Sequence, residues 1–360
     1  MTPENLYIHV PFCNGKCDYC AFYSEPEVNL EAANQWLKKI QQDSAVHPFS
    51  KPLETVYLGG GTPTALPPDV LQKLMQWIKT LPLAENAEIT SECNPGSLTP
   101  EKAEILSGTV NRISMGVQSF QPELLRKIGR KTTPAQVEQT FHLLRTHTSI
   151  LRIGLDLICA LPGQSMKQWE DDLKQALSYQ PEHISAYMLI PEPGTPFTEK
   201  YGEESLLPEE LQAEMWEFAG DFLEHHGMPR YEISNHALPG GECRHNQNVW
   251  HGKTYLGLGP SACSFDGTDR FTNAAPLRDW LDGAPPEIDS IPEDLRKREI
   301  FMMGLRTVRG WGKEEFDWQD FLPEIKQLAE DGLIIFSDHA VKPTRHGLLC
   351  WNAIAETLIG

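Results

Sequence analysis

An alternation of strand-like and helical segments over the first half of the sequence is the feature that most constrains its fold. The segments between the strand-like runs, such as residues 69–81 and 166–179, repeat apolar residues with helical periodicity. Near-continuous apolar strands that alternate with helices predict a parallel sheet covered by helices. The runs with strand composition are 5–12, 53–60, 87–93, 111–118, 150–158 and 183–190. A closed barrel of this class needs eight units, so these six predict an α/β fold, an incomplete parallel (β/α)6 barrel with one open side.

The pattern changes near residue 200 and predicts two regions after a barrel at residues 1–200. Residues 201–285 form a connecting region that begins with a helical segment. Its second part is rich in Gly, Asn, His and Cys and is expected to be irregular. Residues 286–360 contain helices and the stretch "GLIIFSDHAVKPTRHG", which predicts a hairpin before a last helix. Helices with a small hairpin indicate a winged-helix-like α+β module.

The charge balance excludes one large class of partner. The chain has 31 Lys and Arg against 50 Asp and Glu, and its formal net charge is −19. Broad nucleic-acid binding needs a basic surface, so we expect no nucleic-acid partner. The N-terminal segment lacks a basic region followed by a long apolar run, and no apolar stretch is long enough to cross a bilayer. These features predict a cytoplasmic protein, in which thiols stay reduced.

Three of the eight cysteines lie close together after the first predicted strand. Cys13, Cys17 and Cys20 follow the spacing C-x3-C-x2-C. Structural zinc sites use four protein ligands, and no clear distant pair completes this set. A four-iron cluster accepts thiolates at short spacings, and three thiolates leave one iron open to a small molecule. The spacing therefore favours an iron–sulfur cluster over zinc. The other five cysteines are assigned to packing, with a thiolate-ligand role left open for Cys243.

Polar residues and glycines follow several predicted strands. The run "GGGTPT", residues 59–64, follows the second strand, and Glu92 ends the third. Gln118 ends the fourth, and Asp156 lies near the end of the fifth. In parallel β/α barrels the carboxyl ends of the strands meet at the face that carries the active site. Each feature taken alone is compatible with an ordinary turn or a surface charge, but their joint placement predicts one shared ligand site.

The motif C-x3-C-x2-C, with Tyr19 before the last cysteine, resembles that of the radical S-adenosylmethionine (SAM) superfamily. The preceding "YIHVPFC" is similar to the coproporphyrinogen dehydrogenase-like branch, and within it to a family of heme chaperones. The resemblance implies a 4Fe–4S cluster on the three cysteines, whose open iron is chelated by the amino and carboxylate groups of SAM. It also implies SAM contacts from Tyr7, Tyr19, Gly60, Gly61, Thr62, Glu92, Gln118, Arg130, Asp156 and Ile190.

A second element, "HNQNVW" at residues 245–250, resembles the H-N-x-x-Y-W element of the heme-chaperone family. The resemblance implies heme as cargo, delivered to apoproteins that include respiratory enzymes. An imidazole is a suitable axial ligand for heme iron, so His245 is the candidate ligand. The alternative is that His245 only satisfies hydrogen bonds in a loop. Val249 replaces the tyrosine of the family, and Trp250 belongs either to the core or to a face that stacks on heme.

Two departures from the true dehydrogenases separate this sequence from that enzyme. Phe22 stands where those enzymes carry a further cysteine, and their long N-terminal arm has no counterpart here. We therefore expect no coproporphyrinogen dehydrogenase activity. A radical methyltransferase of the same branch is a further alternative, although "HNQNVW" is not expected of it. Whether SAM is cleaved or only orders the barrel mouth stays open, as do the oligomeric state and a peripheral membrane contact.

Overall fold

Six parallel strands form the centre of the molecule, in the chain order that the sequence predicts. The structure is a computed structural model, and it describes residues 3–202 and 206–360. The six strands are β1 (Asn5–Val10), β2 (Leu53–Gly60), β3 (Leu83–Cys93), β4 (Arg112–Gln118), β5 (Arg152–Cys159) and β6 (His183–Met188). Each strand pairs in parallel with the next along the chain. The predicted six-strand parallel arrangement is confirmed.

Helices connect these strands and begin where the sequence carries helix-start signals. Helices α1 to α6 are Leu30–Ala45, Pro68–Ile78, Pro100–Leu106, Pro122–Lys127, Pro134–His147 and Met166–Ser178. Four of them, α2 to α5, start with a proline, whose fixed φ suits the first helical position. Thr133 and Ser165 form capping boxes at the starts of α5 and α6. A capping box satisfies two otherwise unpaired groups, so these boundaries are fixed locally by sequence.

The two faces of the central sheet differ in character, which the sequence interpretation did not anticipate. Alternate side chains such as Leu6, Ile8 and Val10 face the helices and are fully buried with Trp36. The other face carries mostly polar side chains: Tyr7, His9, Tyr57, Glu92, Arg112, Ser114, Asp156 and Ser185. The strands are therefore alternating rather than continuously apolar. The helices α1 to α6 pack on the apolar face, and the polar face lines the interior of the unclosed barrel.

The connecting region is more regular than expected. After α7 (Pro196–Tyr201) and α8 (Glu209–His225), short strands join both edges of the central sheet. They are β7 (Asn235–Ala237), β8 (Tyr255–Leu258), β9 (Cys263–Phe265), β10 (Asp269–Thr272) and β11 (Glu287–Ser290). Strand β7 pairs with β6, and β8 pairs with β1, so the sheet has eleven strands and β1 does not close onto β6. Strands of three or four residues carry too little periodicity to be found from sequence.

A second hydrophobic core lies in the C-terminal module. Its helices are α11 (Glu293–Gly304), α12 (Leu322–Glu330), α13 (Arg345–Leu349) and α14 (Trp351–Ile359), after the short α9 (Arg244–Trp250) and α10 (Leu277–Leu281). Its three-stranded sheet has the order β12 (Trp311–Gly312), β14 (Ala340–Pro343), β13 (Ile334–Phe336). Strands β13 and β14 are the predicted hairpin. Phe301, Ile325 and Ile354 are fully buried in this core, which is distinct from that of the barrel.

Within the described ranges, no helix combines the length and the apolar character needed to cross a bilayer.

Candidate functional site

The three clustered cysteines lie on one loop, residues 11–29, between β1 and α1. We call this the cysteine loop. Cys13, Cys17 and Cys20 are all half-buried free thiols. The amide of Cys13 donates to the carbonyl oxygen of Glu25 at 3.0 Å, and that of Asp18 donates to the carbonyl oxygen of Ile128 at 3.1 Å. The first bond closes the cysteine loop on itself, and the second fixes it to the end of α4. The amide of Thr62, after β2, also donates to the carbonyl oxygen of Phe12 at 2.7 Å. We call the carboxyl ends of β1 to β6, beside which the loop lies, the carboxyl rim.

A chain of hydrogen bonds connects the first two cysteines across the rim. The hydroxyl of Thr62 lies 3.3 Å from the sulfur of Cys13 and accepts from Asn94 Nδ2 at 2.8 Å. Arg130 donates through Nη2 to Asn94 Oδ1 at 2.7 Å and through Nη1 to the sulfur of Cys17 at 3.4 Å. Thr62 and Arg130, both predicted site residues, are thus brought together. Asn94 was missed, although its position directly after β3 is the signal that identified the others.

The chemistry of the cysteine loop fits an iron–sulfur cluster. Sulfur ligands are the donors that such clusters take, and the Arg130 guanidinium supplies positive charge beside the thiolate of Cys17. Burial raises the pKa of the Cys13 and Cys20 thiols. Because metal binds the thiolate, binding of the cluster must release protons. Among the described residues, no group of three or more His, Cys, Asp or Glu side chains is placed so that it could hold a single metal ion.

The glycines after β2 allow that strand end to approach the cysteine loop closely. A Cβ atom on Gly61 would lie 2.5 Å from the carbonyl oxygen of Val10 and 2.6 Å from that of Phe12. A Cβ atom on Gly60, which has φ +91°, would lie 2.3 Å from the imidazole of His9. The amides of Gly61 and Thr62 donate to Val10 and Phe12 at 2.9 and 2.7 Å. The segment "GGGTP" therefore packs closely against β1 and the start of the cysteine loop and is not a solvent-exposed turn.

Two predicted carboxylates lie below the rim on the polar face of the sheet. Glu92 accepts a hydrogen bond from the hydroxyl of Tyr57 at 3.0 Å. Asp156 accepts from Ser114 at 3.0 and 3.1 Å and from Ser185 at 2.7 Å. These three hydroxyl residues were not predicted, because a lone strand Ser or Tyr carries no specific signal.

The two carboxylates interact: the charge of Asp156 disfavours ionisation of Glu92, and the buried Arg112 on the same face acts in the opposite direction. Neither Glu92 nor Asp156 forms an ion pair with any described residue. Burial, and then the charge of Asp156, raise the pKa of Glu92 to about 7. A ligand that carries positive charge would relieve both effects. The ammonium and sulfonium groups of SAM fit that requirement, so the residues present are compatible with this cofactor.

The remaining predicted SAM residues lie around the same opening with different exposure. Tyr7 lies on the polar face, and its hydroxyl is 3.1 Å from His9 Nδ1. Tyr19 packs against the small apolar cluster that contains Leu124 and Phe197. Gln118 ends β4 in a left-handed conformation with φ +71°, which is uncommon for a residue other than glycine and occurs often at functional sites. Ile190 follows β6 and is 68% exposed, an apolar side chain without cover.

His245 lies at the opposite end of the strands from the cysteines. It is the second residue of α9, which packs on β2 near the amino end of that strand. The imidazole is 6% exposed, with Nδ1 2.6 Å from the hydroxyl of Thr55 and its ring 5.1 Å from that of Tyr57. Its amide donates to Glu88 at 3.0 Å. The structure therefore does not present His245 to a ligand. The predicted heme-ligand role stays a prediction that requires α9 to move.

Family models match two parts of the chain. The model described as the Radical SAM superfamily matches residues 7–176, the region of the cysteine loop and the rim. The model described as the HemN C-terminal domain matches residues 291–350, which lie in the C-terminal module. The first match ends at residue 176, whereas the core of the barrel continues to Trp280.

Curated relatives match along the whole length of the chain. A heme chaperone, HemW, from Bacillus subtilis (strain 168) is 35% identical over 99% of this chain and 99% of its own. Heme chaperone HemW from Escherichia coli (strain K12) is 31% identical over 100% of this chain and 99% of its own. Among solved structures, coproporphyrinogen III oxidase (HemN) from Escherichia coli has a TM-score of 0.85 at 22% identity, over 99% of this chain and 90% of that one. At this identity the structural likeness concerns the fold alone.

Proposed function

Because the chain belongs to the HemW family of heme chaperones within the radical SAM superfamily, we propose that it binds heme and delivers it to apo-hemoproteins. One observation carries the proposal, the similarity that spans 99% of this chain and 99% of the Bacillus subtilis relative. A match of this extent includes the barrel, the α9 region and the C-terminal module, so a single shared domain does not account for it.

The carboxyl rim is the proposed site of the cluster and of SAM. Cys13, Cys17 and Cys20 hold the four-iron cluster, which supplies one-electron chemistry when bound. Arg130 orients the cysteine loop through its bond to Cys17 and balances thiolate charge. Glu92 and its neighbour Asp156 stabilise the cationic groups of SAM. The glycines and Thr62 bring the backbone of β2 close enough to contact this cofactor.

Heme is proposed as cargo rather than as a substrate. The expected acceptors are apo-hemoproteins, with respiratory enzymes as the class that the family resemblance implies. The cytoplasm is the proposed compartment, because the three thiols must be reduced to accept iron. Phe22, 65% exposed on the cysteine loop, occupies the position at which the dehydrogenases carry an additional cysteine. The proposal therefore excludes oxidation of coproporphyrinogen as the main activity.

An anaerobic hemin titration of the cluster-reconstituted protein tests this function. We expect a saturable shift of the Soret absorption band, followed by transfer of heme when apo-myoglobin is added as a probe acceptor. The same preparation is assayed with SAM and coproporphyrinogen for 5′-deoxyadenosine and for an oxidised or methylated product. Absence of heme binding would contradict the chaperone function. A decarboxylated porphyrinogen would instead assign the dehydrogenase activity, and a methylated product would assign the methyltransferase.

A variant at His245 needs a fold control in this titration. Because the imidazole is buried against Thr55, removal of the side chain destabilises α9 whether or not it binds iron. His245→Asn keeps a donor toward Thr55 and removes the ligand. Loss of heme binding in this variant, with unchanged thermal unfolding, would support the ligand role. Unchanged heme binding would retain the chaperone and assign the iron to another residue.

A further inference from the structure

A cleft separates α9 from the C-terminal module. It is bounded by the segment before β7, by the outer side of α9 and by the turn after α11. Its volume is about 690 Å³, within the range of about 300–1,000 Å³ that is usual for small-molecule sites. The amide of Val308 donates to the carbonyl oxygen of Tyr231 at 3.0 Å and joins the two walls. The cleft is thus a built feature of the docked module.

The charge of the cleft is opposite to that of the protein. Arg230, Lys253, Arg309 and Lys342 line it, against the single carboxylate of Glu242. Four cations and one anion give a formal charge of +3, whereas the chain has −19. A concentrated positive charge inside an acidic protein attracts an anionic ligand locally.

Two of the four cations have no carboxylate partner in the described residues. Lys253 pairs with Glu54 at 2.7 Å and Arg309 pairs with Glu315 at 2.9 Å. Arg230 instead stacks on Trp216 and donates to the main-chain carbonyls of Ile233 and Trp216. Burial lowers the pKa of Arg230 to about 10.

Lys342 is exposed on β14 and forms no ion pair with any described residue. An anion in the cleft would therefore meet charge that the protein has not already neutralised.

The walls of the cleft also offer apolar surface. Val308, which lines the cleft, is 40% exposed although it is a large hydrophobic residue. A ligand that combines an apolar body with carboxylates on one edge would cover the apolar wall and meet the cations together. Heme has this chemistry, since its macrocycle is flat and apolar and carries two propionates.

We propose that this cleft binds the heme cargo, with Lys342 and Arg309 contacting its propionates. The inference rests on the proposed chaperone function and adds a site to it. Helix α9 contacts β2 from the side of its amino end, whereas the cysteines lie at its carboxyl end. A strand of eight residues spans roughly 25 Å. Heme in the cleft would therefore bind far from the cluster, as suits cargo that is carried without being altered.

Charge reversal with a matched control tests the cleft. Lys342→Glu in the full-length chain is compared with Lys326→Glu, an exposed lysine on α12 of the same module that forms no ion pair with described residues. We expect the Kd for hemin to rise about 10- to 100-fold in Lys342→Glu and to stay near the wild-type value in Lys326→Glu. Adding Arg309→Gln to Lys342→Glu should weaken binding further.

Esterification of the ligand tests the same contact from the other side. Hemin dimethyl ester has no propionate charge, so we expect it to bind more weakly than hemin and to be insensitive to Lys342→Glu, in the same detergent buffer. The cleft assignment is wrong if wild type binds hemin and neither variant binds it more weakly, and if the ester also binds as hemin does. The chaperone function then still stands. If wild type binds neither ligand, the chaperone function itself is wrong.

Discussion

Glu92 is a residue whose protonation links cofactor binding to stability. Its pKa is raised to about 7 by burial and by Asp156, so the folded protein holds a proton there that the unfolded chain releases near pH 4.5. We expect SAM to bind most tightly above pH 7, because the ionised carboxylate stabilises a cation, and to weaken as the pH falls through 7. Isothermal titration between pH 6 and pH 8.5 measures this change.

Glu92→Gln provides the control for that titration. The variant cannot ionise, so its SAM affinity should be about 10- to 100-fold lower at pH 8 and independent of pH. An affinity in the variant that still follows pH with a midpoint near 7 would assign the titration to another group.

The same substitution should stabilise the cofactor-free protein. A raised carboxyl pKa lowers stability as the pH rises from about 4.5 to 7, because the folded state binds more protons in that window. Glu92→Gln removes this cost. We expect its free energy of unfolding to exceed that of the wild type by about 2 kcal/mol at pH 8, and the difference to shrink toward pH 5. Urea unfolding of both proteins at the two pH values checks it. A destabilised variant at pH 8 would show that the Tyr57 bond matters more than the burial of charge.

At residue level, Thr62 was predicted from its place after a strand and from the family resemblance, Arg130 from the resemblance alone, and the residues that support them were missed. Thr62 and Arg130 were predicted and lie in one hydrogen-bonded chain, whereas Asn94, which joins them, was not. Tyr57 and Ser114 were also missed, since they lie within strands and not after them. A strand residue reveals its role only when the side of the sheet it faces is known. The strands alternate between apolar and polar side chains, and the prediction of near-continuous apolar strands concealed that side.

Among the elements, α9 has the most consequential position. The sequence "HNQNVW" was recognised, but its packing against the amino end of β2 was not predictable, because contacts between distant segments leave no local pattern. Burial lowers the pKa of His245 to about 4. The folded protein keeps this imidazole neutral. The contribution of this group to the free energy of unfolding is therefore fully present above about pH 6.5 and is lost as the pH falls toward 4.

The difference between wild type and His245→Asn isolates that effect from the other buried histidines. We expect the wild type to lose roughly 2–3 kcal/mol more than the variant between pH 7 and pH 4.5, measured by denaturant unfolding. Parallel pH curves for the two proteins would contradict the burial of a neutral imidazole at this position.

The contact between β1 and β2 is a second element that can be tested. A methyl group on Gly61 would meet the carbonyl oxygens of Val10 and Phe12, which cannot move without shifting the cysteine loop. We expect Gly61→Ala to cost about 2–3 kcal/mol and to abolish retention of the cluster, followed by its visible absorption after anaerobic reconstitution.

Gly108→Ala is the matched variant for Gly61→Ala. Gly108 has φ +77° and open space around its Cα, so alanine there costs about 1–2 kcal/mol of backbone strain without touching the site. It should keep the cluster. Equal loss of the cluster in both variants would attribute the effect to general destabilisation and not to the β1–β2 contact.

At the scale of the whole molecule, the two proposed sites lie toward opposite ends of the central strands. Below the carboxyl rim the charge of Asp156 disfavours ionisation of Glu92, and in the cleft beside α9 Lys342 forms no ion pair with any described residue. The six-strand core, the hairpin and the last helix were predictable from periodicity. The extension of the sheet to eleven strands and the cleft were not, since both depend on how short segments dock on distant ones.

An ion pair with a buried carboxylate lies at the boundary of the C-terminal module. Arg306, after α11, lies over the rings of Trp250 and Trp351 and 3.7 Å from Glu232. Glu232 is 1% exposed, and burial raises its pKa while it lowers that of Arg306. The pair is thus held at a desolvation cost, and removal of one partner leaves the other buried and unpaired.

Arg306→Met should therefore destabilise the protein by about 2–4 kcal/mol, seen as earlier proteolytic cleavage between the barrel and the module and as weaker hemin binding in the cleft. Arg306→Met with Glu232→Gln removes both charges and should recover most of the stability and the hemin affinity. Arg278→Met, at an ion pair whose side chains are 90% and 74% exposed, should change stability by less than about 1 kcal/mol. If the double variant is no more stable than Arg306→Met, the two tryptophan contacts and not the charge pair hold the module in place.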